Sequence, residues 1–280
     1  MLLVINLENR KDRRRFMDRS CVGPLRGIKT SVEYVPAVAV EEAAPDRAHP
    51  AFELRKDEIP ALLDAWHAPG GEAVARSGLE RYYARPVSAT EKACARSHRK
   101  AWVRARAAFQ AQVDLPWVLI VEDDCVPCLH PACESQWGAF YGPAWQVVWR
   151  HVSKAMARCD GFDLVYVGRH RLGCPEVSDA VVRAASFSSC LHAYCVTRRG
   201  VERLLAKAED LPALPADDLV PALCGAHPRK NLADATDPLR AGCLPQDVLF
   251  QLQSIACPGD DVRSRVEQYA FDASTRWRGG

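Results

Sequence analysis

Residues 117–126 read WVLIVEDDCV, an apolar run closed by Glu122, Asp123 and Asp124 in a row. Such a run reads as a buried strand. Three adjacent carboxylates at its end repel one another and resist desolvation unless water or a cation lies among them. Acids at a strand end can hold a hard divalent cation through oxygen, and that cation would bridge the phosphates of a nucleotide and neutralise a departing diphosphate. A solvated acidic turn accounts for the same three residues on spacing alone.

Four other stretches carry residue types able to do chemistry. In NRKDRRR (9–15) five of seven residues are basic, directly after the first apolar run. This is either a phosphate-contacting turn at a helix start or a solvated basic face. Arg13 and Arg14 cannot both point inward, because neighbouring helix residues face about 100° apart. His98 sits in an apolar stripe beside Cys94 and Trp102, where a hydrogen-bonded core histidine competes with a catalytic one. In CVPCLHPAC, Cys125, Cys128, His130 and Cys133 offer four zinc-ligand types within nine residues, against reduced loop thiols as the plainer reading. LPADDLVPAL (214–223) holds Asp217 and Asp218 between apolar flanks: a general base with a raised pKa, or acids in a helix's first turn. PGDD (258–261) is simplest as a turn.

The elements that would position these groups alternate. LLVINL (2–7) reads as a buried strand, with a helix from about Asp12. Residues 36–87 are rich in Ala, Pro and Gly and read as a variable, loop-rich insertion with one short helix around 59–66. SATE (88–91) fits a capping box, and the helix it opens carries Cys94, His98, Ala101, Trp102, Ala105, Ala108 and Phe109 on one stripe. Further on, a helix is expected over 145–157, a strand over 163–168, a strand over 191–197 and a helix over 198–207. Strands alternating with helices predict an α/β fold with a mostly parallel central sheet, whose ligands bind beyond the carboxyl ends of strands. We expect one domain over residues 1–280.

Composition bounds the classes. A net charge of +2 gives no support to nucleic-acid binding, and no uncharged stretch is long and unbroken enough for a membrane span. No N-terminal signal is visible, so the chain is expected to be cytoplasmic, in a bacterial or viral setting, and its twelve cysteines to be mostly reduced core thiols.

Taken in order along the chain, these stretches resemble glycosyltransferase family 25, which includes lipooligosaccharide-biosynthesis transferases and procollagen galactosyltransferases. VINLENRKDRRRFM (4–17) is similar to its opening strand and arginine-rich turn, YYARPVSATEKACARSHRKAW (82–102) to its segment ending in Ser-His before a tryptophan, and VLIVEDD to its metal motif. DLVYVGRHRL (163–172), AYCVTRRGVERLL (193–205) and LPADDLVPALCGAHP (214–228) also resemble family segments, the first and last leaning toward the procollagen branch. The resemblance implies a Rossmann-like GT-A fold, UDP-galactose or UDP-glucose as donor, and Mn2+ at the acidic motif. It implies Asp124 as first metal ligand, with Glu122 or Asp123 in support through ribose or metal-bound water. It places Asn6, Leu7, Arg10 and Arg13 against the uridine and its phosphates, and Ser97 and His98 on the donor side. Asp217 becomes the base, with Asp218 second, and the acceptor a hydroxyl on a collagen-like protein or a glycan. Two departures stand out. Residues 90–94 lack two glycines of the family pattern, and 255–261 lack a histidine found in the procollagen enzymes. They motivate the rival expectation, an inactive binding or adhesion module of the same fold. A zinc-stabilised nucleic-acid binder is a third class.

Overall fold

The computed structural model describes residues 1–43, 87–127, 137–159, 161–171, 187–209, 214–229, 237–244 and 248–251, with isolated positions at 60, 64, 183–185 and 232. Most of the expected insertion, including the expected helix around 59–66 apart from positions 60 and 64, lies outside the described residues, as do Cys128, His130 and Cys133 and the turn at 258–261.

The order is β1 (Leu2–Asn6), α1 (Lys11–Met17), a π-helical turn (Asp18–Val22), α2 (Gly23–Arg26), β2 (Val32–Pro36), α3 (Ala89–Ala111), β3 (Trp117–Glu122) and β4 (Cys125–Pro127). Then come α4 (Trp137–Met156), β5 (Leu164–Arg171), β6 (Arg183–Ala184), β7 (Ser188–Thr197), α5 (Arg198–Glu209), α6 (Ala216–Leu223), β8 (Ala241–Cys243) and β9 (Leu249–Gln251). Among the described residues, seven strands form one sheet in the order β2-β1-β3-β7-β5-β8-β6, and β4 pairs with β9 in a small second sheet. β1 pairs in parallel with β2 and β3, and β5 with β8, while β7 and β6 run against their neighbours. Five strands therefore share one direction, and the mostly parallel α/β architecture is as expected. The reversal of β7, at the sheet's centre, was not.

Alternation along the strands makes two cores. Leu3, Ile5, Val118 and Ile120 face Trp102, Phe109, Leu204 and Leu219 of α3, α5 and α6. Leu2, Val4, Leu119 and Val121 face Phe16, Met17, Leu25 and Trp145 on the side of α1, α2 and α4. Consecutive strand residues point to opposite faces, so a strand buried on both must be apolar, as β1 and β3 are up to their last residues, Asn6 and Glu122. α3 starts on the capping box: Ser88 Oγ accepts the Glu91 N–H, and Glu91 accepts the Ser88 N–H. α4 begins two turns before the expected start, running through Gly138, Gly142 and Pro143, residues whose low helix propensity hid it. β2 is an edge strand ending in Pro36, where a missing N–H costs no ladder bond.

One buried acid ties the far end of the sheet. Asp163, fully buried, accepts from Arg199 Nε at 2.6 Å, from Arg203 Nη1 and from the Arg240 N–H at 2.9 Å. Gly200 lies so close to the Asp163 carbonyl that a Cβ there would stand 1.8 Å from its oxygen, so the α5 start fits only glycine. Asp163→Ala is expected to cost about 3 kcal/mol, the lower end for a broken buried pair because both arginines reach solvent. Urea denaturation with an unchanged m-value checks it.

Candidate active site

β1 and β3 lie side by side in parallel, Ile5 opposite Glu122, so Asn6 and the acidic triplet emerge together at the carboxyl edge of the sheet. The turn after β1 closes when the Leu7 carbonyl accepts the Arg10 N–H at 2.9 Å, and α1 then points Arg13 back at the acids. Arg13 Nη1 lies 2.8 Å from Asp123 Oδ1 and 3.2 Å from Asp124 Oδ2. Asn6 Nδ2 donates to Asp123 Oδ2 at 2.7 Å. Arg14 faces away, its guanidinium over the Tyr34 ring at 4.4 Å, which is the division of labour that helix geometry requires. Arg10 pairs with Asp12 while also feeling the charge of Asp123 and Asp124.

The three acids are not equivalent. Asp123 has an oxygen satisfied by Asn6 and the other by Arg13. Glu122 Oε1 lies 3.2 Å from His98 Nε2, and its Oε2 accepts from Gln251 Nε2 at 2.8 Å. Burial opposes its charge, yet the His98 hydrogen bond and the electrostatic pull of His98, His192 and Arg13 together outweigh it and hold Glu122 below the usual carboxylate range. Asp124 differs: its Oδ1 is buried with no hydrogen-bond donor among the described residues. Burial, and then the charge of Glu122, push it up to about 7. A buried carboxylate oxygen with no donor, beside two more acids and facing one arginine, is a donor set that fits a hard divalent cation. Asp124 would hold it, with Glu122 nearby.

Behind Glu122 lies a chain of ring donors. Trp102 Nε1–H donates to Tyr194 Oη at 2.8 Å, and Tyr194 Oη lies 3.0 Å from His98 Nδ1. All three residues are at most 1 % exposed. His98 is thus both the core histidine and the neighbour of the acidic triplet, not one or the other. Ser97 points elsewhere. Its Oγ accepts the Val38 N–H at 2.8 Å and donates to the Ala93 carbonyl, tying α3 to the chain after β2.

Asp217 and Asp218 occupy the first turn of α6, as one of the two sequence readings had it. They diverge. Asp217 Oδ1 accepts the Leu191 N–H at 3.0 Å, and burial, then the charges of Glu122 and Asp218, raise it to about 6. Asp218 turns away to His227, Oδ1 to Nε2 at 3.0 Å, both buried. The Arg229 N–H donates to His227 Nδ1, so His227 Nε2 carries the proton and donates it to Asp218.

Several of these partners had no readable signal. Gln251 reaches Glu122 because β9 pairs with β4, Cys125 opposite Gln251. Gly168 makes room for that strand: a Cβ there would stand 2.4 Å from the Leu249 carbonyl and 2.7 Å from His192 Nε2. Tyr194 was visible only as a polar tip inside an apolar strand, which must find a partner when buried. Of eight described cysteines, Cys21, Cys125, Cys159, Cys195 and Cys243 are core residues.

The α/β fold with its mostly parallel mixed sheet and acid-bearing carboxyl edge is consistent with a Rossmann-like glycosyltransferase fold. Residues 1–127 match the family model described as Glycosyltransferase family 25 (LPS biosynthesis protein). The chain is also similar to a "Glycosyltransferase 25 family member" of Aedes aegypti, 23% identical over 82% of this chain and 32% of that protein. A protein of the same name from Anopheles gambiae is 26% identical over 82% of this chain and 32% of its own length. "Procollagen galactosyltransferase 2" of Homo sapiens is 24% identical over 81% and 30%. The chain spans about a third of the length of these relatives. The resemblance to glycosyltransferase family 25 is therefore found independently, and it reaches well beyond the acidic motif. No helix among the described residues is long and apolar enough to cross a membrane.

Proposed function

We propose that this chain is a glycosyltransferase domain that moves a hexose, galactose or glucose, from a UDP-sugar to an acceptor hydroxyl with inversion, using Mn2+. The observation that carries the proposal is Asp124 Oδ1, a buried carboxylate oxygen with no donor among the described residues, at the carboxyl end of β3 in a domain matched to a glycosyltransferase family. Bound there, the metal would supply charge neutralisation for the leaving diphosphate. The protein's own residues do the rest. Arg13 and Arg10 lie at the acidic edge where phosphates would come to rest, and Asn6 fixes Asp123 beneath them. Asp217, with a proton affinity raised by burial, takes the acceptor's proton as its oxygen attacks the anomeric carbon. Asp218 is held by His227 and serves the shape of α6 rather than the reaction.

The relative named as a procollagen galactosyltransferase points to a hydroxyl on a collagen-like protein as acceptor, with a glycan hydroxyl as the alternative. The test is a screen of UDP-sugars with Mn2+, with a hydroxylysine-containing collagen peptide as acceptor. Turnover of UDP-galactose or UDP-glucose that stops on chelation is the expected result. Neither turnover nor nucleotide binding would overturn the reading in favour of an inactive module.

A further inference from the structure

Cys94 turns its thiol toward the acidic edge. It stands one helical turn before His98 on α3, on the same face, because residues four apart on a helix are neighbours. Its Sγ lies 3.9 Å from Glu122 Oε1, and His98 Nε2 lies 3.2 Å from that same oxygen. The sulfur, the ring nitrogen and the carboxylate oxygen all lie within 4.8 Å of one another. We propose that Cys94, His98 and Glu122 form a binding site for a thiophilic divalent cation of the zinc class, separate from the hard-cation position at Asp124.

Three features of the geometry carry this. The first is spacing: zinc bonds of about 2.0–2.3 Å to nitrogen, oxygen and sulfur set ligand separations of roughly 3.2–3.8 Å in a tetrahedron. The two separations to Glu122 already lie close to that range, and the third, at most 4.8 Å, closes to it by a turn of the Cys94 side chain. The second is ligand type. One sulfur, one imidazole and one carboxylate suit zinc, whereas manganese prefers oxygen throughout. The third is the support behind the histidine. A metal-bound imidazole donates its other ring N–H to an outer oxygen, and Tyr194 Oη stands 3.0 Å from His98 Nδ1, itself held by Trp102. Without a cation, Tyr194 O–H donates to Nδ1 and Nε2–H donates to Glu122. When the cation binds, the ring changes tautomer, Nδ1–H donates to Tyr194 Oη and the Nε2 lone pair is released. Cys94 gives up its thiol proton to solvent, and the sulfur binds as thiolate. Three protein ligands leave the fourth position open.

Glu122 is shared between this site and the acidic triplet, so zinc would oppose the proposed transferase reaction. This consequence rests on the proposed function; the site itself does not.

The test is a titration of the metal-depleted full chain with Co2+ alone, read by its thiolate-to-cobalt charge-transfer absorption. Zinc stoichiometry is then measured by competition with a chromophoric chelator. The expected result is one equivalent bound, with the thiolate band lost in Cys94→Ser and kept when Cys128 and Cys133 are both changed to Ser. Zinc affinity should fall at least 100-fold in Cys94→Ser, and Mn2+ in excess should not displace cobalt from the wild type. His98→Gln serves as a second variant, and matching circular dichroism melts show that each variant folds. A band unaffected by Cys94→Ser, a band lost only in the Cys128 and Cys133 variant, or no thiolate band in the wild type would overturn the proposal. Where UDP-sugar turnover is measurable, zinc should inhibit the wild type and spare Cys94→Ser. Absence of turnover in every variant counts against the transferase reading and leaves the cobalt result to stand by itself.

Discussion

Asp124→Asn is expected to weaken Mn2+ binding about 100-fold or more and to cut kcat/KM for UDP-sugar turnover by about 10³, several kcal/mol of lost charge stabilisation. The substitution keeps the side chain's shape, so a loss reports charge and ligand strength rather than packing. Asp124 is singled out by what its neighbours already do. Asp123 spends one oxygen on Asn6 and the other on Arg13, and Glu122 spends its two on His98 and Gln251. Only Asp124 keeps a buried oxygen without a donor among the described residues. Asp123→Asn should therefore weaken Mn2+ less than Asp124→Asn, its main effect being to release Arg13. Mn2+ titration followed by electron paramagnetic resonance separates the two. Equal Mn2+ affinity in wild type and Asp124→Asn would sink the metal assignment.

How much of this was legible in the chain depends on whether a contact is local. The run VLIVEDD announces its own place, because a strand buried on both faces must be apolar and can carry charge only where it leaves the sheet. The inward turn of Arg13 and outward turn of Arg14 follow from helix geometry once α1 is placed after β1. The capping box at Ser88 and Glu91 is a four-residue pattern and is read as such. The contacts that set the character of the site are long-range. Gln251 reaches Glu122 across 129 positions and Tyr194 reaches His98 across 96, and nothing in either segment encodes the strand order that joins them. The same holds for β7: LHAYCVT reads equally well in either direction, and its reversal is set by its neighbours in the sheet. Cys94 was read as one more apolar position on a helical stripe, which its burial pattern supports. Its nearness to Glu122 appears only when β3 is laid against α3.

Asp217→Asn is expected to lower kcat by about 10²–10⁴ while UDP-sugar binding is retained, the usual loss on removing a general base. Asparagine can still accept the Leu191 N–H, so α6 keeps its attachment to β7. The pH profile follows from the raised proton affinity. Burial, with the charges of Glu122 and Asp218, brings Asp217 to about 6, and a base must be deprotonated to act, so kcat/KM should fall tenfold per unit as pH drops below about 6. Stability runs the other way. A carboxyl whose folded pKa is raised contributes stability that is present below its unfolded value near 3.9 and lost as pH rises through the folded value. The charged Asp217 therefore burdens the native state above about pH 6, and Asp217→Asn should melt higher than the wild type at pH 8, with the difference closing toward pH 4. A merely structural acid would show the opposite pattern, with the asparagine variant melting lower at pH 8 and activity following the fraction folded. Gain of stability with loss of turnover in one variant is what marks Asp217 as a group held at a cost for the sake of a proton.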